Sequence, residues 1–299
     1  MLLAAIAALS MSADPSAELA ALRKADQTER HFTTPPTRAE WEKISTRDAA
    51  RRNRVRELLL ADEVRTAEDF DAAALIFQHG DKPEDYLLAH ELSAIAAFKG
   101  SFGNLPALTE DRWLASLGRL QRWGSQFDGE GKLKPPDTQG PVVTDQMRQD
   151  FLLPTLKEVQ EGGFDAVMKN LDVRIKYLTR RLDKRVWKDS DGLRKLLSSS
   201  PKREVERALR IVASGELNTA SDYRNASAIL LRSREPKALL LAHELATLAM
   251  SRRDRASKRL FVLSLDTYMA ATGLSPRYRA GNVAPGVRRE LALPGLYGP

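Results

Sequence analysis

LLAHELSAIAA at 87–97 and LLAHELATLAM at 240–250 open with the same six letters, and the fold turns on how these two stretches are read. Leu88, Leu92, Ile95 and Ala96 fall at i, i+4, i+7 and i+8, and Leu241, Leu245, Leu248 and Ala249 repeat the spacing. That period puts apolar side chains on one side of a helix, so each stretch predicts a helix with a core-facing stripe. Pro83 and Pro236 precede them, suited to a first helical turn where a missing N–H costs no hydrogen bond.

The likeness extends beyond the hexapeptide. An offset of 153 aligns Arg54–Ala97 with Arg207–Met250 without a gap, with 15 identities in 44 positions. Thr66-Ala-Glu-Asp69 and Thr219-Ala-Ser-Asp222 each set a hydroxyl three residues before a carboxylate, the capping-box spacing that starts a helix. A looser match pairs 114–124 with 263–273, and at an offset of 140 Val143, Arg148 and Leu153-Pro154 meet Val283, Arg288 and Leu293-Pro294. The pattern reads as an internal duplication. Gly- and Pro-rich breaks separate the helical stretches and alternating β-branched runs are absent, so the expected fold is all-α. It comprises two tandem helical domains, 14–158 and 200–299, joined by a linker at 159–199. Within that linker LDVRIKYLTRRLDKRVWK (171–188) reads as a basic helix with polar faces, exposed or bridging the domains.

Composition narrows the class. A chain of 299 residues with 42% hydrophobic and 29% charged residues is that of a soluble globular protein. No apolar run approaches the about 18 residues of a membrane span. MLLAAIAALSMSA (1–13) is built like the end of a secretory signal, which predicts a periplasmic or secreted protein; the alternative is an ordinary helix start in a cytoplasmic one. Absence of cysteine excludes disulfides, thiol catalysis and Cys-held metals. His90-Glu91 lacks the second histidine of a zinc protease helix, since Ala94 stands there, and no phosphate or dinucleotide fingerprint occurs, so neither metal nor cofactor is expected. Residues 1–160 carry 20 Lys+Arg against 25 Asp+Glu and residues 161–299 carry 27 against 15. The basic half could dock an acidic protein partner. Aromatic residues, 6% of the chain, do not interleave with the basic ones, which argues against nucleic acid.

Where the two copies differ in chemically capable residues, their functions can differ. Gln78-His79-Gly80 aligns with Leu231-Arg232-Ser233. A structural role is open to the trio, with Gly80 as a left-handed helix cap and His79 facing the terminal carbonyls. Capping gives no reason for Gln78. The stretch 109–126 reads as a helix with Trp113, Leu117 and Leu120 on one face and Asp111, Ala115, Gly118, Arg122 and Ser125 on the other. That small, polar face suits either close helix packing or the floor of a pocket.

Gln78-His79-Gly80, Asp111-Arg112, Gly118, Gln121 and Trp123-Gly124-Ser125-Gln126, with Asp26-Gln27, Arg30, Asp48, Asn53-Arg54, Thr144-Asp145 and Arg148, resemble a bacterial family of uncharacterised proteins, domain of unknown function 6624. The resemblance covers about residues 17–158, and Trp123 and Ser125 stand where that family's pattern has Tyr and Thr. It implies a site list without a reaction.

Three functions follow as expectations. In the first, Gln78, His79, Asp111, Arg112, Gln121 and Gln126 form a polar site for a small molecule or peptide. In the second, a hydrolase-type enzyme uses His79 as general base, oriented by Asp111 or Asp26, with Arg112 stabilising negative charge. In the third, the chain is a scaffold whose basic second half docks an acidic partner.

Overall fold

In a computed structural model of the chain, residues 14–168 and 201–291 are described, apart from 33, 35, 102 and 282. The chain is all-α. In order come α1 (Pro15–Thr28), α2 (Arg38–Leu60), α3 (Ala67–Gln78), α4 (Pro83–Lys99), α5 (Leu105–Ser116), α6 (Asp145–Asp150), α7 (Leu156–Met168), α8 (Pro201–Ala213), α9 (Ala220–Leu230), α10 (Pro236–Ser251), α11 (Ser257–Ala271) and α12 (Pro285–Glu290). Two isolated bridges, Gln121 to Pro136 and Phe127 to Leu133, occur outside the helices, and no sheet forms among the described residues. The segment 171–188, expected as a basic helix, and residues 1–13, expected as a leader, lie outside the described residues.

Both expected capping boxes form, with the same geometry. Thr66 Oγ1 accepts from the Asp69 amide at 3.1 Å while Asp69 Oδ2 accepts from the Thr66 amide at 2.8 Å, and Thr219 and Asp222 repeat both distances. Each box satisfies two orphan amide donors at the start of α3 or α9. Thr66→Ala and Thr219→Ala are each expected to cost about 1 kcal/mol in urea unfolding. A loss well below that at both positions would mean that water caps the helices equally well.

The next two helices also correspond, and they end alike. After α5, the Gly118 amide donates to the Ala115 carbonyl at 3.0 Å and Arg119 to Leu114 at 2.9 Å, with Gly118 at φ +69°. After α11, Gly273 donates to Ala270 at 3.2 Å and Leu274 to Met269 at 2.8 Å, with Gly273 at φ +77°. Such left-handed ends favour glycine because a Cβ is strained there. The expected helix over 109–126 therefore stops at Ser116. The correspondence in this region has an offset of 155, not the 149 implied by pairing 114–124 with 263–273.

α4 and α10 depart from the one-striped helices expected of them. From Ala89 to Ala97 and from Ala238 to Met250 every residue is buried, whereas Leu88 of the expected stripe is only partly so. The two helices pack against each other at the centre of the molecule, so their polar residues find partners across the contact. His90 and His243 meet with their Nε2 atoms 3.0 Å apart. Their Nδ1 atoms face the Pro106 and Phe261 carbonyls at 2.9 and 3.1 Å.

Around this contact the two stretches exchange partners. Val55, Leu59, Phe70, Ile76 and Phe77 of α2 and α3, with Val64 between them, share a core with Phe261, Leu265, Tyr278, Val287 and Leu291. Their counterparts Ala208, Val212, Leu217, Tyr223, Ile229 and Leu230 share a second core with Trp123, Met147, Phe151 and Leu153. Ion pairs follow the same rule. Arg122 grips Glu244 through Nε and Nη2 at 2.6 and 3.0 Å, and Arg277 grips Glu91 through the same atoms at 2.9 Å each. Lys99 reaches Glu290 at 3.1 Å while Arg252 reaches Asp150 at 3.0 Å. Among the described residues, then, each core is built from both stretches of sequence.

Candidate functional site

The polar residues singled out by the sequence gather where α3 ends. His79 is the C-cap of that helix, and Gly80 keeps an ordinary negative φ, so the expected left-handed glycine cap is absent. Gly80 is required for a different reason: a Cβ there would sit 2.4 Å from the Asp85 Cβ. The last carbonyls of α3 are taken by side chains from three other segments. Arg112 Nη1 donates to the Gln78 carbonyl at 2.8 Å, Arg52 Nη1 to that of His79 at 2.7 Å, and the Tyr86 hydroxyl to that of Gly80 at 2.6 Å. Cations suit this end of a helix, where the carbonyl dipoles converge.

His79 is oriented by Asp26 of α1, whose Oδ1 lies 3.1 Å from Nδ1. Asp26 is held in turn by Gln27 Nε2 at 2.8 Å and Arg30 Nη1 at 2.8 Å, and Arg30 continues to Asp48 at 2.6 Å, which binds Arg51 at 2.7 Å. Burial raises the Asp26 pKa, but the hydrogen bond from His79, with Gln27 and Arg30, outweighs it and leaves the carboxyl below its usual value. The imidazole edge bearing Nε2 makes no hydrogen bond to the described residues.

Asp111 and Gln121 are not part of this cluster. Asp111 is fully buried and accepts the amides of Arg122, Trp123 and Ser125 at 2.6, 2.8 and 2.9 Å, plus the Ser125 hydroxyl at 2.8 Å. These bonds fold the chain after Gly118 back over α5, which a continuing helix could not do. Asp266 does the same for the Tyr278 and Arg279 amides, so the role belongs to the fold. Gln121 is a loop clamp, its Oε1 accepting from the Gln126 amide at 2.7 Å and its Nε2 donating to the Gln126 carbonyl at 3.1 Å. Of the expected orienting groups for His79, Asp26 is therefore the one in place. Trp123 donates Nε1–H to Glu110 at 2.7 Å and stacks edge-on to Phe151 with centroids 5.0 Å apart, a packing role.

Gln126 bridges the loop to the site, its Oε1 accepting from Arg112 Nε at 3.3 Å. Gln78 is buried, and its Oε1 has no hydrogen-bond partner among the described residues. Arg52 and Tyr86 escaped the sequence reading although a signal was present: their aligned counterparts are Val205 and Leu239. Arg112 and Gln126 likewise face Thr267 and Gly281 once the offset of 155 is used. The second stretch thus keeps the caps, the central histidine, the exchanged ion pairs and the aspartate-bound loop, while Arg52, Gln78, His79, Tyr86, Arg112 and Gln126 all have unlike counterparts.

Comparison with family models, curated proteins and solved structures gives no match. Among the described residues no helix is long and apolar enough to cross a membrane, and no three His, Asp or Glu side chains converge as a metal set.

Proposed function

We propose that the chain arose by tandem duplication and that its first stretch retains a binding site for a small polar ligand at the end of α3, formed by Gln78, His79, Arg112 and Gln126. One observation carries this reading. The second stretch dispenses with all of these residues while keeping the matching helices and contacts, so the fold does not need them. Its α9 ends with Leu231 as C-cap, and Arg232 there turns to Glu204 instead. Residues that a scaffold does not require and that leave a buried acceptor unpaired fit a site better than a strut. The resemblance to the uncharacterised bacterial family, which rests on several of the same residues, agrees with it.

The test is a thermal-shift screen of metabolites, short peptides and divalent cations on the full chain, with a Gln78→Leu/His79→Arg variant alongside. The variant copies the second stretch and is expected to remain folded. A compound that raises the melting temperature of the parent alone supports the site, because a ligand stabilises only the state that binds it. A variant that melts far lower with no ligand-specific difference would make the cluster structural.

The His79–Asp26 contact favours a second reading, in which the bound ligand is also a substrate and His79 its general base. Here His79→Gln should abolish turnover of a bound ester or amide while leaving its affinity within about tenfold.

A further inference from the structure

The guanidinium of Arg112 is an exception among the cations of its neighbourhood. Arg30, Arg51, Arg52 and Arg56 each reach an aspartate in α1, α2 or α4 or in the α3–α4 turn, yet among the described residues Arg112 has no ion pair. Its Nε and Nη1 are held by neutral acceptors, Gln126 Oε1 and the Gln78 carbonyl, so the orientation of the fork is fixed and Nη2 is left without an acceptor. Burial and the nearby Arg30 pull its pKa down, opposed by Tyr86 alone. A cation so placed is costly unless something anionic completes it. Two acceptors are unspent on the residues of that helix end, the buried Gln78 Oε1 and His79 Nε2, the latter bare once Nδ1–H is given to Asp26.

Resting on the binding reading above, we infer that the ligand is a small organic carboxylate that also carries its own hydrogen-bond donor. One carboxylate oxygen meets Arg112 Nη2, and a neighbouring hydroxyl or ammonium N–H is taken by Gln78 Oε1. The requirement is for both groups together, since an anion alone leaves Gln78 unsatisfied and a donor alone leaves Arg112 unneutralised. A charge-assisted hydrogen bond from a preset guanidinium supplies affinity, and the buried amide oxygen supplies discrimination against ligands that cannot donate.

Four probes separate the requirements in titrations of the full chain: glycolate and glycine, which have both groups; acetate, which lacks the donor; and glycinamide, which lacks the carboxylate. Sodium chloride at equal ionic strength is the reference. Glycolate or glycine is expected to bind at least about tenfold more tightly than acetate, the usual penalty for leaving a buried polar group unpaired, and glycinamide is expected not to bind. Arg112→Gln should abolish the response, and Gln78→Leu should reduce glycolate to the level of acetate. Glycinamide equal to glycine, or inorganic phosphate equal to glycolate, overturns the inference. If neutral sugars or blocked peptides shift the parent and no carboxylate does, the inference falls while the binding site stands; if no compound of any class shifts it, both fall. Should Arg112→Gln fail to fold, the ranking of the four probes on the parent protein still decides.

Discussion

Arg122→Leu is expected to destabilise the protein by about 3–5 kcal/mol, the loss typical of breaking one half of a buried ion pair. Glu244 is fully buried, and Arg122 holds both of its oxygens. Glu110 lies close enough that burial and the Glu244 charge push its own pKa well above the usual range. Removing the guanidinium leaves two carboxyls facing each other with no cation, so Glu244 must take up a proton or carry an uncompensated charge. The double variant Arg122→Leu/Glu244→Leu should recover most of the loss, since the pair and not the arginine alone is the unit. Arg277→Leu is expected to cost less, because Arg277 is 17% exposed against 1% for Arg122 and water can follow into the space its guanidinium leaves. Urea unfolding of the four proteins checks this; a double variant no better than the single one would assign the loss to packing.

The second large effect is on acid stability. His90 and His243 are fully buried with Nε2 atoms 3.0 Å apart. Burial pulls the pKa of His90 down to about 4, and burial together with the His90 charge takes His243 well below its usual value. Both therefore fold as neutral rings, and one hydrogen must lie between the two Nε2 atoms. In the unfolded chain each ring titrates near its ordinary value, so below about pH 6.5 the unfolded state binds more protons and gains. Stability is full above that pH and falls as pH drops toward the folded pKa, by about 1.4 kcal/mol per pH unit for each ring that stays neutral. Glu110 and Asp111, whose carboxyl pKa values are raised by burial, work in the opposite direction as pH falls. The clean observable is thus a difference: His243→Gln should unfold with a pH slope shallower than the parent's by about 1.4 kcal/mol per unit between roughly pH 6 and 4. Parallel slopes would mean that the histidines titrate normally in the folded protein.

Local signals were legible in the sequence wherever a residue acts on its own helix. The capping boxes at Thr66 and Thr219, the prolines at 83 and 236 and the apolar run of α4 and α10 all rest on short-range chemistry. The end of α5 is not legible in the sequence, because Leu117 and Leu120 continue the helical period past Gly118 and periodicity alone does not register that the Asp111 carboxylate collects the amides of the following loop. The one-sided stripe failed for a longer-range reason. His90 and Glu91 look like surface residues until a second helix brings His243, and the loop after α11 brings Arg277, to them. In the site, Gln78 and His79 stand out by contrast between the two stretches and Arg112 and Gln126 by the family resemblance, whereas Arg52 and Tyr86 carry the same contrast at Val205 and Leu239 without a motif around them. Asp111 and Gln121 looked chemically capable, and their capacity is spent on loop amides.

The exchange of partners between the two stretches also bears on how the chain is made. When residue 168 leaves the ribosome, α2 and α3 still lack Phe261, Tyr278 and Val287, which cover them, and Trp123 and Phe151 still lack α8 and α9. Contacts of such sequence separation must wait for loop closure over most of the chain. The nascent first half therefore holds apolar surface open during synthesis, until residues 208–249 complete one core and residues 261–291 the other.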